Sequence, residues 1–302
     1  MSKSKVLYVH VTAATSEVIK NLVLAGIQAA IFDPRPHPNP HTCSFFLATR
    51  TTKPPPAKKS RTVVTLAQAV QPAIEELNPL LGECPVIDSA RTVEELVADV
   101  STLAAYSVVV ASHLTAAQAA AMADVVTAAG NKFFMLDTFG MEGAAVIDLG
   151  PNYTYRPEKG KELLDPVTLT KRYTVREILA TPLHKAVNRF HKILPPVVWV
   201  RYRLVLEGKT NADDALAWCR ATGVPDELLH KEACFQPHAL DHLAKVAQCE
   251  LAPVASVLGG LVGNEVIKVR IPNRSMQCLV GWFNHEMLIL WALMTFFFIY
   301  RP

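Results

Sequence analysis

Apolar residues in the first half of the chain occur in two alternating patterns. Short continuous apolar runs, each of a length suited to a buried strand, lie at residues 5–10, 27–32, 106–112 and 132–136. Stretches with helical spacing lie at residues 17–25, 65–77, 93–103 and 116–129. Residues 84–88 and 144–148 suit two further strands. The alternation predicts an α/β fold over residues 1–150, with a Rossmann-like, mostly parallel sheet and helices on both faces.

After residue 150 the pattern loosens and charged residues become more frequent. Helical spacing returns at residues 174–180, 183–191, 211–222, 225–232 and 237–249, and residues 197–206 suit either a helix or a strand. We therefore expect a mainly helical insertion over residues 151–249. The chain is expected to return to the first domain over residues 250–275 and to end in an atypical apolar tail over residues 276–302.

The segment from 250 to 269 has the pattern of a helix, although it contains three glycines. A glycine inside a helix costs about 1 kcal/mol relative to alanine, so close packing has to compensate. Small residues at 255, 259 and 263 share one face, and Pro253 lies near the start, where its missing N–H is tolerated. Two interpretations stay open. The helix packs in the core on the sheet, or it forms a tight domain or subunit interface through Pro253, Ala255, Gly259, Gly260 and Gly263.

Composition excludes several classes of function. Thirty basic and 27 acidic residues give a formal charge of +3, which is too weak to indicate a nucleic-acid partner. The six cysteines include no Cys-x-x-Cys pair, so neither a zinc site nor any other metal site is expected. Nothing at the N-terminus resembles a secretory signal, which favours a reducing intracellular compartment.

Residues 279–300 are strongly apolar, but Asn284, His285 and Glu286 interrupt them. The uninterrupted part, 287–300, is shorter than the roughly 20 residues that a membrane-spanning helix needs. We therefore expect a buried terminal element rather than a membrane anchor. A tail anchor and an alternative transcript end remain as alternatives.

The turn after the first strand, residues 10–15, contains no glycine. Phosphate binding at such a turn needs backbone N–H groups that a glycine-rich loop brings close to the ligand. Residues 111–114 likewise offer no carboxylate that could organise magnesium. Both observations predict that this chain does not bind ATP by itself. Asp33 lies where a Rossmann acid could contact a ribose hydroxyl, but we interpret it as a turn or cap residue, and we interpret His113 as structural or exposed.

Several motifs together resemble one family. Glu250, Ala252-Pro253, Gly259-Gly260 and Glu265–Lys268 resemble the helix near the end of the adenylation domain in enzymes that activate ubiquitin-like modifiers. Further segments that resemble this family in the same order are 20–27, 45–47, 77–79 and 133–143. The resemblance implies a ThiF-like adenylation fold. Among the branches, the chain most resembles the smaller, non-catalytic subunit of heterodimeric SUMO-activating enzymes, on its length, its closing helix and residues 137–140.

This resemblance implies a regulatory subunit without catalytic residues of its own. Its partner would be a larger subunit that binds ATP and magnesium and carries the thioester-forming cysteine. The modifier would be of the SUMO type and the location nuclear, with the cytoplasm also open. The family's N-terminal arm would lie before the first strand, where this sequence has only Met1 to Lys5. The alternatives are a stand-alone Rossmann enzyme that uses a nucleotide, and an inactive tail-anchored scaffold.

Overall fold

A computed structural model of the protein describes ten parts of the chain, namely residues 5–36, 65–88, 90–156, 158–159, 162–169, 172–183, 197–209, 211–231, 235–270 and 289–291. The five longest strands are β1 (Lys5–Val9), β2 (Gln28–Phe32), β3 (Val108–Ala111), β4 (Lys132–Phe139) and β5 (Glu142–Asp148). Two short antiparallel pairs follow, formed by β6 (Thr154–Tyr155) with β9 (Val167–Thr168) and by β7 (Glu158–Lys159) with β8 (Glu162–Leu163). The last strand is β10 (Ile289–Trp291).

The main sheet has the strand order β10-β5-β4-β3-β1-β2. Strands β1 to β4 are parallel to one another, whereas β5 and β10 are antiparallel to their neighbours. The strand order reverses between β1 and β3, which is a topological switch point of an open α/β sheet. The predicted fold class, an α/β fold with a Rossmann-like, mostly parallel sheet, is confirmed.

Besides one 3-10 helix at Pro79–Leu81, eleven α-helices accompany the strands in the part of the chain that the structure describes. They are α1 (Ala13–Leu24), α2 (Leu66–Leu77), α3 (Val93–Ala98), α4 (Val100–Ala104), α5 (Ala116–Ala128), α6 (Val175–Ala180), α7 (Val197–Leu206), α8 (Ala212–Ala221), α9 (Asp226–Lys231), α10 (Pro237–Val246) and α11 (Ala252–Arg270). Helices α1, α2 and α11 pack on one face of the sheet. Helices α3 to α10 contribute to the hydrophobic cluster on the other. Successive strand residues point to opposite faces, so β1 to β5 are buried on both faces beyond the exposed or half-buried first residues of β1, β2, β4 and β5.

Threonine caps define where several helices begin. Five helices start after a threonine whose hydroxyl accepts the N–H three residues later, in a capping box formed by Thr12, Thr65, Thr92, Thr115 and Thr174. Because Thr12 caps it, α1 begins at Ala13 rather than at the predicted Glu17. The predicted start was four residues too late because the small residues of the first turn show no apolar periodicity.

Two predicted elements differ from the structure. Residues 84–88 form no strand. Only a single parallel bridge joins Val86 to Ile31, because Pro85 cannot donate a hydrogen bond and contributes just its carbonyl. The predicted helix over 93–103 is divided at Asp99, whose side chain accepts the Thr102 N–H and starts the second piece, α4. A residue that favours caps therefore interrupts an otherwise helical apolar pattern.

The region from 151 to 249 is helical only in its later part, because the pairs β6–β9 and β7–β8 come first. Residues 197–206 form the helix α7, which settles the alternative left open by the sequence. Trp199 and Tyr202 of α7 are buried in the same hydrophobic cluster as residues of β1, β3 and β4. The insertion thus shares a core with the sheet. Most of the predicted helix at 183–191 and of the apolar segment 279–300 lies outside the described residues.

Helix α11 packs directly against the backbone of α1. A Cβ added to Gly259 would lie 2.5 Å from Glu17 Cβ and 2.7 Å from the Ala14 carbonyl oxygen. Gly263 lies one turn further along, where a Cβ would meet Asn21 Cβ at 3.5 Å. Ala255 is buried on the same side. These three residues, which we also proposed for an interface, make their close contacts inside this chain, as the core interpretation predicts.

The opposite side of α11 faces outwards. Pro253 is exposed, Gly260 is half-buried, and a Cβ at Gly260 would meet nothing within 4 Å. Among the described residues, α11 is the one helix long and apolar enough to cross a membrane, judged by length and composition alone. Its packing on α1 and the sheet accounts for that composition, since a buried core helix has the same properties.

We predict opposite effects for alanine at the two adjacent glycines of α11. Gly259→Ala should reduce the free energy of unfolding by about 1–3 kcal/mol, because the new methyl group overlaps α1. Gly260→Ala should instead increase it by up to about 1 kcal/mol, because alanine favours the helix and space is free. Urea unfolding of both variants measures the difference, and equal effects would contradict the packing described.

Candidate functional site

Polar side chains gather at the carboxyl ends of the parallel strands, where open α/β sheets bind their ligands. We call this group the carboxyl edge, and it consists of His10, Thr12, Asp33, Arg35, Ser112, His113, Asp137 and Glu250. Its members come from the ends of β1, β2 and β3, from β4, and from the residues just before α11. The edge therefore depends on the tertiary fold rather than on one local motif.

A carboxylate of the same chain occupies the N-terminus of α1. The Thr12 hydroxyl accepts a hydrogen bond from the Thr15 N–H at 3.3 Å, and Glu250 Oε2 accepts one from the Ala13 N–H at 2.8 Å. In nucleotide-binding Rossmann folds, such N–H groups and the positive end of the helix dipole face a phosphate. Here Glu250 supplies the negative charge from within the protein.

Backbone contacts hold Glu250 in this position. The Gly140 N–H donates to the Cys249 carbonyl at 2.9 Å, and Gly140 and Glu250 form a parallel bridge. Burial raises the pKa of the Glu250 carboxyl, and the nearby His113 and the Ala13 N–H offset this effect only in part. Desolvation therefore disfavours the charged form of this carboxyl, and its contacts with His113 and α1 reduce that penalty only in part.

Asp33 is fully buried and accepts hydrogen bonds from three groups around it. Its Oδ2 accepts from the Val11 N–H at 2.7 Å and from the Arg35 guanidinium at 2.7 Å. Its Oδ1 accepts from the backbone N–H and the Nε–H of Arg35 at 3.1 and 2.9 Å. This geometry matches the interpretation of Asp33 as a turn residue. A ribose hydroxyl would have to displace one of these donors.

His113 links Arg35 to Glu250. Arg35 Nη1 lies 3.4 Å from His113 Nδ1, and because a guanidinium can only donate, Nδ1 is the acceptor. In the neutral ring the proton then lies on Nε2, which is 3.5 Å from Glu250 Oε1. The backbone of His113 has a positive φ of 52°, which is rare outside glycine. His113 is thus part of a network rather than an isolated surface residue.

Asp137 places a carboxylate at the edge that the sequence did not predict. The segment 111–114 has none, as expected, but Asp137 of β4 reaches this segment from the neighbouring strand. Its Oδ1 accepts from Ser112 Oγ at 2.8 Å and from the His113 N–H at 2.6 Å. Its Oδ2 accepts from the Tyr202 hydroxyl at 2.6 Å. The lack of a carboxylate in 111–114 therefore does not extend to the whole edge, where donors of the protein surround the carboxylate of Asp137.

His10 lies at the end of β1 with a φ of 66°, so it too adopts a left-handed backbone conformation. Its N–H donates to the Phe32 carbonyl at 2.8 Å, and Nδ1 lies 2.9 Å from the Ser112 carbonyl. Because a carbonyl only accepts, Nδ1 carries a proton. Burial lowers the pKa of His10, and Arg35 and His113 add to this effect against the opposing influence of Asp33. The ring is consequently neutral near pH 7.

The structure separates the predicted site residues. Asp33 belongs to the carboxyl edge, whereas Pro253, Ala255, Gly259, Gly260 and Gly263 lie on α11. Glu250 stands out in the sequence only as part of a family motif, and no sequence pattern marks Arg35 or Tyr202. The available signal was positional, because Asp33, Ser112 and Asp137 all lie at or near the ends of predicted parallel strands.

Within the described ranges, no group of three or more His, Cys, Asp or Glu side chains is arranged to hold a metal ion. Burial raises the pKa of the Cys84 thiol to about 12, so little nucleophilic thiolate exists there at neutral pH. Cys219 is also buried, and Cys249 is exposed beside Glu250. The carboxyl edge thus offers hydrogen-bonding groups and charged side chains.

No protein-family model matches this chain, and a search of curated proteins gives no match.

We predict that replacing His10 changes how stability depends on pH. Folding lowers its pKa below the unfolded value of about 6.5, so the unfolded state takes up the proton first as pH falls. The contribution of His10 to the free energy of unfolding is therefore complete above pH 6.5 and decreases below it. His10→Asn, which tolerates the positive φ, should be more destabilising at pH 7.5 than at pH 5. Urea unfolding at both pH values checks this, and a constant difference would contradict it.

Proposed function

We propose that this chain is a regulatory, non-catalytic subunit of a heterodimeric enzyme that activates a ubiquitin-like modifier of the SUMO type. One observation carries the proposal: Glu250 Oε2 accepts the Ala13 N–H at the position where a productive adenylation domain would bind phosphate. The motifs in the sequence are the reason for proposing this family. The carboxylate of Glu250 at the N-terminus of α1 is the reason for proposing a non-catalytic role.

Electrostatics at the carboxyl edge supports this role. A triphosphate would have to displace a carboxylate whose other oxygen lies 3.5 Å from His113 Nε2. It would also approach Asp33 and Asp137, which carry the same sign of charge. Arg35, the guanidinium of the carboxyl edge, already forms an ion pair with Asp33 at 2.7 Å. The like charges at this edge make ATP binding unfavourable.

In the proposed heterodimer, the larger partner binds ATP and magnesium, adenylates the modifier and forms the thioester. This chain would contribute a matching α/β half and a contact surface. The outward side of α11 suits such a contact, since Pro253, Val257, Gly260 and Leu261 are uncharged. Val257 and Leu261 are 48% and 38% exposed. We therefore place the proposed interface on the outward residues of α11. A role in SUMO activation would imply a nuclear location.

The first test is nucleotide binding by the isolated chain. We expect no saturable binding of ATP or NAD at millimolar concentration in isothermal titration, because Glu250 occupies the phosphate position. Glu250→Gln keeps the shape of the side chain while removing its charge, and it serves as a matched variant. Tight binding by the wild-type chain would contradict the proposal and favour the stand-alone nucleotide enzyme.

The second test is association with the larger subunit. Leu261→Asp should weaken copurification with a cysteine-bearing activating subunit about tenfold or more, because a charge would be buried in an apolar contact. Val100→Asp is the control, since Val100 is 54% exposed and lies on the opposite face of the sheet. No association of the wild-type chain, or equal effects of the two variants, would count against the proposal. Sedimentation with membranes would instead support the tail-anchored alternative.

A further inference from the structure

Helix α7 is joined to the carboxyl edge by a buried hydrogen bond. The hydroxyl of Tyr202 donates to Asp137 Oδ2 at 2.6 Å, and both side chains are almost inaccessible to solvent. The Tyr202 ring stacks on Phe139 with the ring centres 5.9 Å apart and the planes 6° apart. Arg201, the preceding residue, forms an ion pair with Glu142 at 3.0 Å. Helix α7 is therefore fixed to the β4–β5 hairpin by stacking, charge and a hydrogen bond.

From Asp137, two routes of polar contacts lead to the N-terminus of α1, one made of hydrogen bonds throughout and one that includes the 3.5 Å approach of His113 Nε2 to Glu250 Oε1. In the first, Asp137 Oδ1 accepts from Ser112 Oγ, which in turn accepts from the hydroxyl of Thr12, the N-cap, at 3.1 Å. Thr12 then caps the Thr15 N–H. Each link is buried, so water cannot replace a partner without opening the structure.

The second route passes through the backbone of His113. Asp137 Oδ1 accepts the His113 N–H at 2.6 Å and so holds this residue in its left-handed conformation. That conformation sets the ring so that Nε2 faces Glu250 Oε1, and Glu250 Oε2 accepts the Ala13 N–H. Both routes therefore end in the first turn of α1, and both begin at the carboxylate that accepts from Tyr202.

We propose that Asp137 couples α7 to the N-terminus of α1, so that a displacement of α7 loosens the capping of α1 by Thr12 and Glu250. The coupling is a property of the fold and does not depend on the proposed function. Burial raises the pKa of Tyr202, with the negative charge of Asp137 adding to the effect, so the hydroxyl stays protonated and remains a donor. A displacement of α7 in the helical insertion would thus change the capping of α1 at the switch point of the sheet.

Hydrogen exchange of the full chain tests this coupling. Tyr202→Phe keeps the stacked ring and removes only the hydroxyl, which leaves Asp137 with one donor fewer. We expect the amides of Ala13 and His113 to exchange about tenfold faster or more, as the loss of a hydrogen bond to a buried charge implies. The exchange rate of the Ile31 amide in β2 should change less than twofold. A change of that size lies within the scatter of about 0.5 kcal/mol that is usual between independent sites. Tyr106→Phe, at the amino end of β3, is the matched control. An increase confined to α7 would overturn the proposal.

A double-mutant cycle covers the case in which Tyr202→Phe weakens the whole protein. Because coupling is reciprocal, Glu250→Gln, which alters the cap of α1, and Tyr202→Phe on α7 should affect the same network. We expect their combined effect on the unfolding equilibrium constant to be smaller than the product of the single effects by about threefold or more. The pair of Tyr106→Phe and Glu250→Gln should be multiplicative. Multiplicative effects in both pairs would show that α7 and α1 are independent.

Discussion

The close approach of α11 to α1 determines most of what lies at the carboxyl edge. Gly259 has no side chain, and the backbone of α1 fills the space where one would be. Glu250 precedes α11 by two residues, so the packing of the two helices carries its carboxylate to the Ala13 N–H. The helix contact and the capped N-terminus are consequently one arrangement. If α11 packed further from α1, Gly259 would lose its close contact with the α1 backbone, and Glu250 would lose its hydrogen bond from the Ala13 N–H.

Charge at this edge is balanced by pairing rather than by exposure. Asp33 is paired with Arg35, Asp137 accepts three hydrogen bonds, and Glu250 lies between a helix N-terminus and His113. Buried charges of this kind are stable only when each has a partner. The result is a polar network that links the sheet, the helical insertion and α11. Such networks specify one arrangement of a fold and leave little capacity for an external anion.

The fold was predictable from the sequence because continuous apolar runs and helical periodicity directly report burial. The strands at 5–9 and 108–111 and the helix capped by Thr65 follow from such patterns. Interruptions by single residues were not predictable in this way, since Pro85 and Asp99 act through hydrogen bonds that apolar spacing does not record. The carboxyl edge was predicted only in part. Asp33 follows from its position after a strand, whereas the contacts of Asp137 and Glu250 join residues 24 to 237 positions apart.

The capping of α1 by Glu250 has a consequence for how this sequence can change. In a glycine-rich phosphate loop, the ligand satisfies the helix N–H groups and leaves with its charge. Here a carboxylate of the protein itself accepts the Ala13 N–H. Removing Glu250 would therefore leave this N–H without its hydrogen-bond acceptor unless a phosphate replaced it. Phosphate binding at this turn would require a new loop sequence and the loss of Glu250 at the same time. Each of these two changes is unfavourable when it occurs alone, so they are not expected to accumulate one at a time.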